Sequence, residues 1–202
     1  MSKLLNPSRR VLLQMLFVLL LFNSSKSFAQ TSPYIVESED AQYGIKAGIN
    51  FAELIGDDTI PESDRKIGYS FGVYAAYKLS KELKFQPEVI WSLQGEKSET
   101  KGRYDISYIN VPLMFKWTES RFYTELGPQF GFLTINSSKA IPEAERLRDF
   151  ETLDISLNAG LGYELFEDWV IGIRYSQGVT NIVEGSDLKN SVLYFGISYR
   201  IF

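Results

Sequence analysis

The chain has 202 residues, with 25 acidic against 21 basic side chains, a formal net charge of −4, and neither cysteine nor histidine. That length supports one domain, and an acidic balance argues against nucleic acid as a partner. The missing cysteine excludes a lipid-anchored lipoprotein and a disulfide-stapled mini-domain; the missing histidine excludes a Ser-His acyl-transfer site and, with cysteine, the usual zinc and copper ligands.

In chain order, the first element reads as an export signal. Lys3, Arg9 and Arg10 precede an apolar run from Val11 to Phe22, and Ser27-Phe28-Ala29 supplies the small-x-small pattern for cleavage before Gln30. The run has 12 residues, against roughly 20 for a membrane-spanning helix. A cleaved signal over 1–29 is therefore expected. Its removal leaves 173 residues with 17 basic and 25 acidic side chains, a mature charge of −8. A polar lead-in over 30–41 follows, assigned to the periplasm.

Eight strands come next, at about 42–52, 67–79, 83–96, 104–117, 121–134, 153–165, 169–178 and 190–201. Most exceed the ~5–6 residues of an ordinary strand and suit the ~9–11 that cross a bilayer at a tilt. Connections alternate between tight, charged "SKE", "TES" and "FED" and longer stretches such as "ELIGDDTIPESDRK" and "NSSKAIPEAERLRDFET". Short turns on one rim and long loops on the other define an all-β fold, an eight-stranded antiparallel up-and-down transmembrane β-barrel over 42–202, with both termini periplasmic.

Side-chain alternation assigns the faces. "GIKAGINFA" (44–52) sets Ile45, Ala47, Ile49 and Phe51 on one side and Gly44, Lys46, Gly48 and Asn50 on the other. The corresponding apolar rows of the other strands, such as Tyr69, Phe71, Val73, Ala75, Tyr77 and Phe122, Thr124, Leu126, Pro128, Phe130, Phe132, contain no charge. Ten glycines fall on the polar parity: Gly44, Gly48, Gly68, Gly72, Gly127, Gly131, Gly160, Gly162, Gly172 and Gly196. A solvated convex face has no use for glycine, which weakens strands, so the polar rows are expected inside a narrow barrel. Tyr77 and Phe85, Trp117 and Phe122, and Tyr163 and Trp169 flank the three short turns on the apolar parity, as an interfacial girdle would. Pro87, Pro112 and Pro128 lie inside strands, where bulges or lost bonds are expected. The terminal Phe202 falls off the parity of Phe195, Ile197, Tyr199 and Ile201.

Laid out on these strands, "FQPEVIWSLQG" (85–95), "YINVPLMFKW" (108–117), "TELGPQFGFL" (124–133), "AGLGYEL" (159–165) and "IRYSQGVTNI" (173–182) resemble the PorT-like family of outer-membrane β-barrel proteins. The resemblance covers about Gly44 to the C-terminus and implies an eight-stranded barrel and an outer-membrane address. It implies little about activity. The family's prolines match Pro87, Pro112 and Pro128.

The inward row holds Lys46, Lys78, Lys84, Glu88, Asn110, Lys116, Glu125, Asp154, Asn158, Glu164, Arg174 and Arg200. Glu88 or Glu125 could be proposed as a general base, but eight strands leave room only for side chains. Charges packed there must pair. The expectation is a lumen plugged by ion pairs, with no catalytic, cofactor or metal residues; "GDDTIPESD" (56–64) lacks the loop spacing of an EF-hand. In "AIPEAERLRDFE" (140–151), Pro142 at a first helical position and Ala144, Leu147 and Phe150 predict a short amphipathic helix over the outer mouth. The expected protein is a small non-enzymatic integral outer-membrane barrel with a structural, adhesive or docking role. Its partners would be outer-membrane lipid and lipopolysaccharide, the barrel assembly machinery during insertion, and an envelope protein. The alternative is a soluble, lipocalin-like periplasmic or secreted barrel with Phe, Leu and Trp inside.

Overall fold

The computed structural model describes residues 41–56, 63–98, 102–139, 151–183 and 185–202. The expected signal over 1–29, the lead-in except Ala41, most of the acidic stretch 56–64 and, apart from Glu151, the expected helix over 140–151 lie outside the described residues.

Eight strands form: β1 (Ala41–Ile55), β2 (Ser63–Lys78), β3 (Leu83–Ser98), β4 (Gly102–Glu119), β5 (Phe122–Lys139), β6 (Leu153–Glu164), β7 (Trp169–Gly178) and β8 (Lys189–Arg200). Each pairs antiparallel with its sequence neighbours, and β1 pairs with β8, closing the barrel. Closure removes the unpaired edges that would otherwise expose backbone donors and acceptors to lipid. The strands match the expected ones, except that β1 to β5 run further at the outer end, through pairs such as Ile55↔Lys189, Ser63↔Ser98 and Arg103↔Lys139. The end of an apolar row marks where hydrocarbon stops. A hairpin can keep pairing beyond it in water.

Accessibility settles which face meets lipid. Ile49, Phe71, Leu126 and Leu161 are 50%, 58%, 56% and 57% exposed, while Glu88 and Asn158 are fully buried. The oily rows point outward and the polar rows inward, as alternation required. Aromatic pairs tie neighbouring strands on the outer face, including Phe85 with Phe115, Phe122 with Tyr163, and Trp169 with Tyr199, at centroid distances of 4.8–5.2 Å. Two residues differ in burial from the rows they belong to. Ala75 sits in an outward row yet is completely covered, because a methyl group is too short to clear its larger neighbours. Lys78, assigned to the lumen, is exposed where β2 ends at the rim.

The three prolines cause lost pairs rather than bulges. Pairing lapses between Tyr74↔Glu88 and Tyr77↔Phe85, between Pro87↔Leu113 and Ile90↔Asn110, and between Pro112↔Gln129 and Phe115↔Leu126, and the register is unchanged on either side each time. A missing N–H removes a bond without changing residue count. The register shifts lie elsewhere, between Arg65 and Ser70 and between Ser107 and Tyr108. At the second, Thr134 is the extra residue, and its hydroxyl donates to the Ser107 carbonyl at 2.8 Å. The out-of-phase terminus also resolves. Both Ile201 and Phe202 donate to the Tyr43 carbonyl, and the Phe202 carbonyl accepts from Tyr43 N–H. Both side chains are exposed, so the last ring escapes the parity of the strand.

Candidate functional site

The lumen is where the sequence placed its chemistry, and its contents form layers from the periplasmic turns outward. At the periplasmic end, Lys84 Nζ donates to Gln42 Oε1 at 3.1 Å, and Arg200 Nη2 lies 3.8 Å from Glu164 Oε1.

Above them lies a layer built from glycine and tyrosine. Direct pairing aligns Gly162 with Gly172, Gly172 with Gly196 and Gly196 with Gly48, a floor of bare backbone across β6, β7, β8 and β1. Tyr123 and Tyr194 lie on it: a Cβ at Gly162 or Gly172 would strike Tyr123, and one at Gly48 or Gly196 would strike Tyr194. Gly44, opposite Tyr74, makes the same space for that ring. The glycines therefore do more than relieve crowding; each clears room for a specific ring. A Cβ at Gly172 overlaps the Tyr123 hydroxyl but stays 3.4 Å from ring Cζ. Gly172→Ala is thus expected to cost about 1–3 kcal/mol through overpacking and to become nearly neutral in a Tyr123→Phe background. Urea unfolding of the wild type, the two single variants and the double variant in lipid checks this.

The next layer is ionic. Glu88, from β3, accepts from Lys46 Nζ at 2.9 and 3.2 Å, from Gln86 Nε2 at 2.6 Å, and from Arg174 Nη1 and Nη2 at 2.8 and 2.9 Å. Arg174 Nε donates to Glu125 Oε1 at 2.7 Å. One guanidinium thus bridges two carboxylates on strands that neither touches β7, and all four charged groups are buried. Lys116 Nζ sits 3.8 Å from the Tyr123 ring centroid, where the ring face attracts a cation. A void of about 10 Å³ lies beside Glu125, Tyr123, Tyr194 and Ser198, sized for one water; Glu125 Oε2 is a buried oxygen with no hydrogen-bond partner. Lone pairs filled by fixed donors cannot take a substrate proton, so this geometry does not make Glu88 a base.

Further out, neutral hydrogen bonds continue. Asn50 Nδ2 donates to Ser92 Oγ at 2.8 Å, and Asn158 Nδ2 to Gln129 Oε1 at 3.2 Å. Asp154 accepts from Asn190 Nδ2 at 2.9 Å and from Thr180 Oγ1 at 3.4 Å. The outer end is then closed by an apolar cluster of Leu54, Ile106, Tyr108, Ile182, Val183 and Leu188, with Leu133 packed against it. Ile182, Val183 and Leu188 belong to the β7–β8 connection, which folds back through Ile182 N–H to Leu188 O at 2.8 Å and Val179 N–H to Ile155 O at 2.8 Å. Sequence reading missed this plug and the inward tyrosines. For Tyr74 and Tyr123 a signal existed, since each falls on the glycine parity opposite a glycine, Gly44 and Gly162.

The inside rejects the lipocalin-like alternative, which needs Phe, Leu and Trp around a cavity: Phe115, Leu126 and Trp117 face outward, and the space is filled by Lys46, Glu88, Glu125 and Arg174. A closed barrel with an oily exterior and an ion-paired interior defines an integral outer-membrane β-barrel protein. The chain belongs to the outer membrane protein beta-barrel domain family, whose model matches residues 28–184. Among solved structures, it is similar to Neisserial surface protein A (NspA), with 14% identity, a TM-score of 0.54, and coverage of 81% of this chain and 100% of that one. It is also similar to Ail, the attachment invasion locus protein of Yersinia pestis, solved with the heparin analogue sucrose octasulfate, at 14% identity, a TM-score of 0.50, and coverage of 80% and 99%. Among curated proteins, none matches this sequence. The protein resides in the bacterial outer membrane, crosses it with strands, and meets membrane lipid along its apolar rows.

Proposed function

We propose that this is a non-enzymatic barrel whose work is done at its ends, in adhesion or in docking an envelope partner, with the transmembrane part serving as a sealed anchor. The observation that carries this reading is the filled lumen: the Lys46–Glu88–Arg174–Glu125 network and the Ile182–Val183–Leu188 plug occupy successive levels of one narrow barrel. Ail, a barrel of this fold seen with a heparin analogue, supports attachment as the form of that work. The chain's fragments from Phe85 to Ile182 favour the PorT-like branch of the family. Residues 1–29 act as a cleaved signal, 30–41 as a periplasmic lead-in, and the barrel assembly machinery inserts the strands.

Two measurements on one preparation test the proposal. In planar bilayers the purified barrel is expected to give no steady conductance, and cells displaying it are expected to gain binding to immobilised heparin or host-matrix surfaces. Stable open channels, or unaltered binding on every surface, would count against it.

A further inference from the structure

The outer wall of the barrel is not even. Between two rows of outward side chains, a groove of about 410 Å³ crosses β6, β7 and β8. Leu161, Ile173 and Phe195, paired in succession, form one wall, and Tyr163 and Ile171, also paired, form the other. Its floor is Gly162, Gly172 and Gly196, the glycine row that receives Tyr123 and Tyr194 on its inner side. Phe122, edge-on to Tyr163 at a centroid distance of 4.8 Å, stands at the periplasmic end. Leu161 is two residues from Tyr163 of the aromatic girdle, Ile173 four from Trp169, and Phe195 four from Tyr199. A strand needs about 9–11 residues to cross, so the groove lies in the periplasmic half of the hydrocarbon. A cation stands at that same end. Arg121 adjoins Phe122 and reaches across to β6, where its Nη1 donates to the Leu165 carbonyl at 3.5 Å, two residues beyond Tyr163. Its side chain is exposed, and among the described residues no carboxylate pairs with it, including the exposed acids of the adjoining turns, Glu119, Glu167 and Asp168.

We propose that this groove seats an acyl chain of one glycerophospholipid from the periplasmic leaflet, with the lipid phosphate held by Arg121. An apolar groove that opens between lipid-facing rows is reached from the bilayer, and its volume falls in the range of small-molecule sites. A guanidinium has five donors in a planar fork that matches phosphate oxygens. Only one contact of that fork is made within the barrel, so the rest is free for a headgroup at the level where the aromatic girdle marks the interface. Chain and phosphate are thus recognised at adjoining points, as one lipid molecule presents them. The competing occupant, a second copy of this barrel, would fill the groove without any use for the cation at its end.

The test is native mass spectrometry of the full barrel released from dodecyl maltoside after loading with dioleoyl phosphatidylglycerol, or with dioleoylglycerol, which has the same chains and no phosphate. The expected spectrum retains one phosphatidylglycerol per barrel, at several-fold higher occupancy than dioleoylglycerol. Leu161→Trp fills the groove from one wall and is expected to abolish retention of both lipids; Ile171→Trp, from the opposite wall, should act alike. Arg121→Gln should lower phosphatidylglycerol to the dioleoylglycerol level, whereas Leu126→Trp, on an outward row outside the groove, should change neither. Heat-dependent gel mobility confirms that each variant is folded, since all four positions lie on the outer face or a turn. Three results overturn the proposal: lipid numbers that simply follow the amount added and are alike in every variant, equal retention of the two lipids by the wild type, or barrel dimers that vanish with Leu161→Trp, which would assign the groove to a second copy.

Discussion

Replacing Arg174 with methionine is expected to destabilise the barrel by about 3–5 kcal/mol, the cost of leaving buried charge without its partner. Arg174 supplies two of the contacts to Glu88, at 2.8 and 2.9 Å, and the 2.7 Å contact to Glu125. Without it, Glu88 still has Lys46 and Gln86, but Glu125, already with one oxygen lacking a partner, loses its hydrogen-bonded guanidinium while remaining buried. Methionine keeps much of the volume, so the loss reports charge more than packing. The informative comparison is Arg174→Met with Glu125→Gln: removing that pair together leaves Lys46 and Glu88 balanced, and most of the stability should return. Urea unfolding in vesicles measures all three proteins. A single-variant cost below about 1 kcal/mol, the scale of an exposed ion pair, would mean that water reaches the network and the lumen is not sealed there.

What could be read in advance divides along a physical line. Alternation is local, so Ile45, Lys46, Ala47 and Gly48 declare their faces without reference to anything distant. Pairing across the lumen is not local: Arg174 meets Glu88 across 86 residues, and which inward residues share a level depends on stagger accumulated over several strands. Hence the inward charged residues were legible and the network's wiring was not. Glycine parity revealed which side was concave, but not that Gly172 and Gly196 lie beneath Tyr123 and Tyr194, since parity fixes a side and not which ring reaches which glycine. The plug was hidden for another reason. Ile182, Val183 and Leu188 sit in a connection with no repeating period, and their burial comes from the loop folding back on the strands. Prolines were read correctly as breaks, though whether a break shifts the register depends on residue count in both strands. The shift at Thr134 lies in a stretch whose composition carries no such mark.

Arginine at Leu126 should separate a lipid-facing surface from a merely exposed one. Leu126 lies near the middle of its outward row on β5, opposite Phe115 and Ala159, and is 56% exposed. In a water-soluble protein such a position tolerates a charge within about 0.5 kcal/mol. Facing hydrocarbon near the bilayer midplane, it should cost about 2–4 kcal/mol, while Phe122→Arg beside the periplasmic turn should cost about 0–1. The pair therefore tests depth as well as sidedness: exposure is greater at Phe122, at 65%, so accessibility alone ranks the two the wrong way or not at all. Vesicle-based urea titrations of both variants give the comparison. Equal costs at Leu126 and Phe122 would show that the apolar rows are not ordered by membrane depth, and the barrel's orientation across the outer membrane would have to be argued from its turns and loops alone.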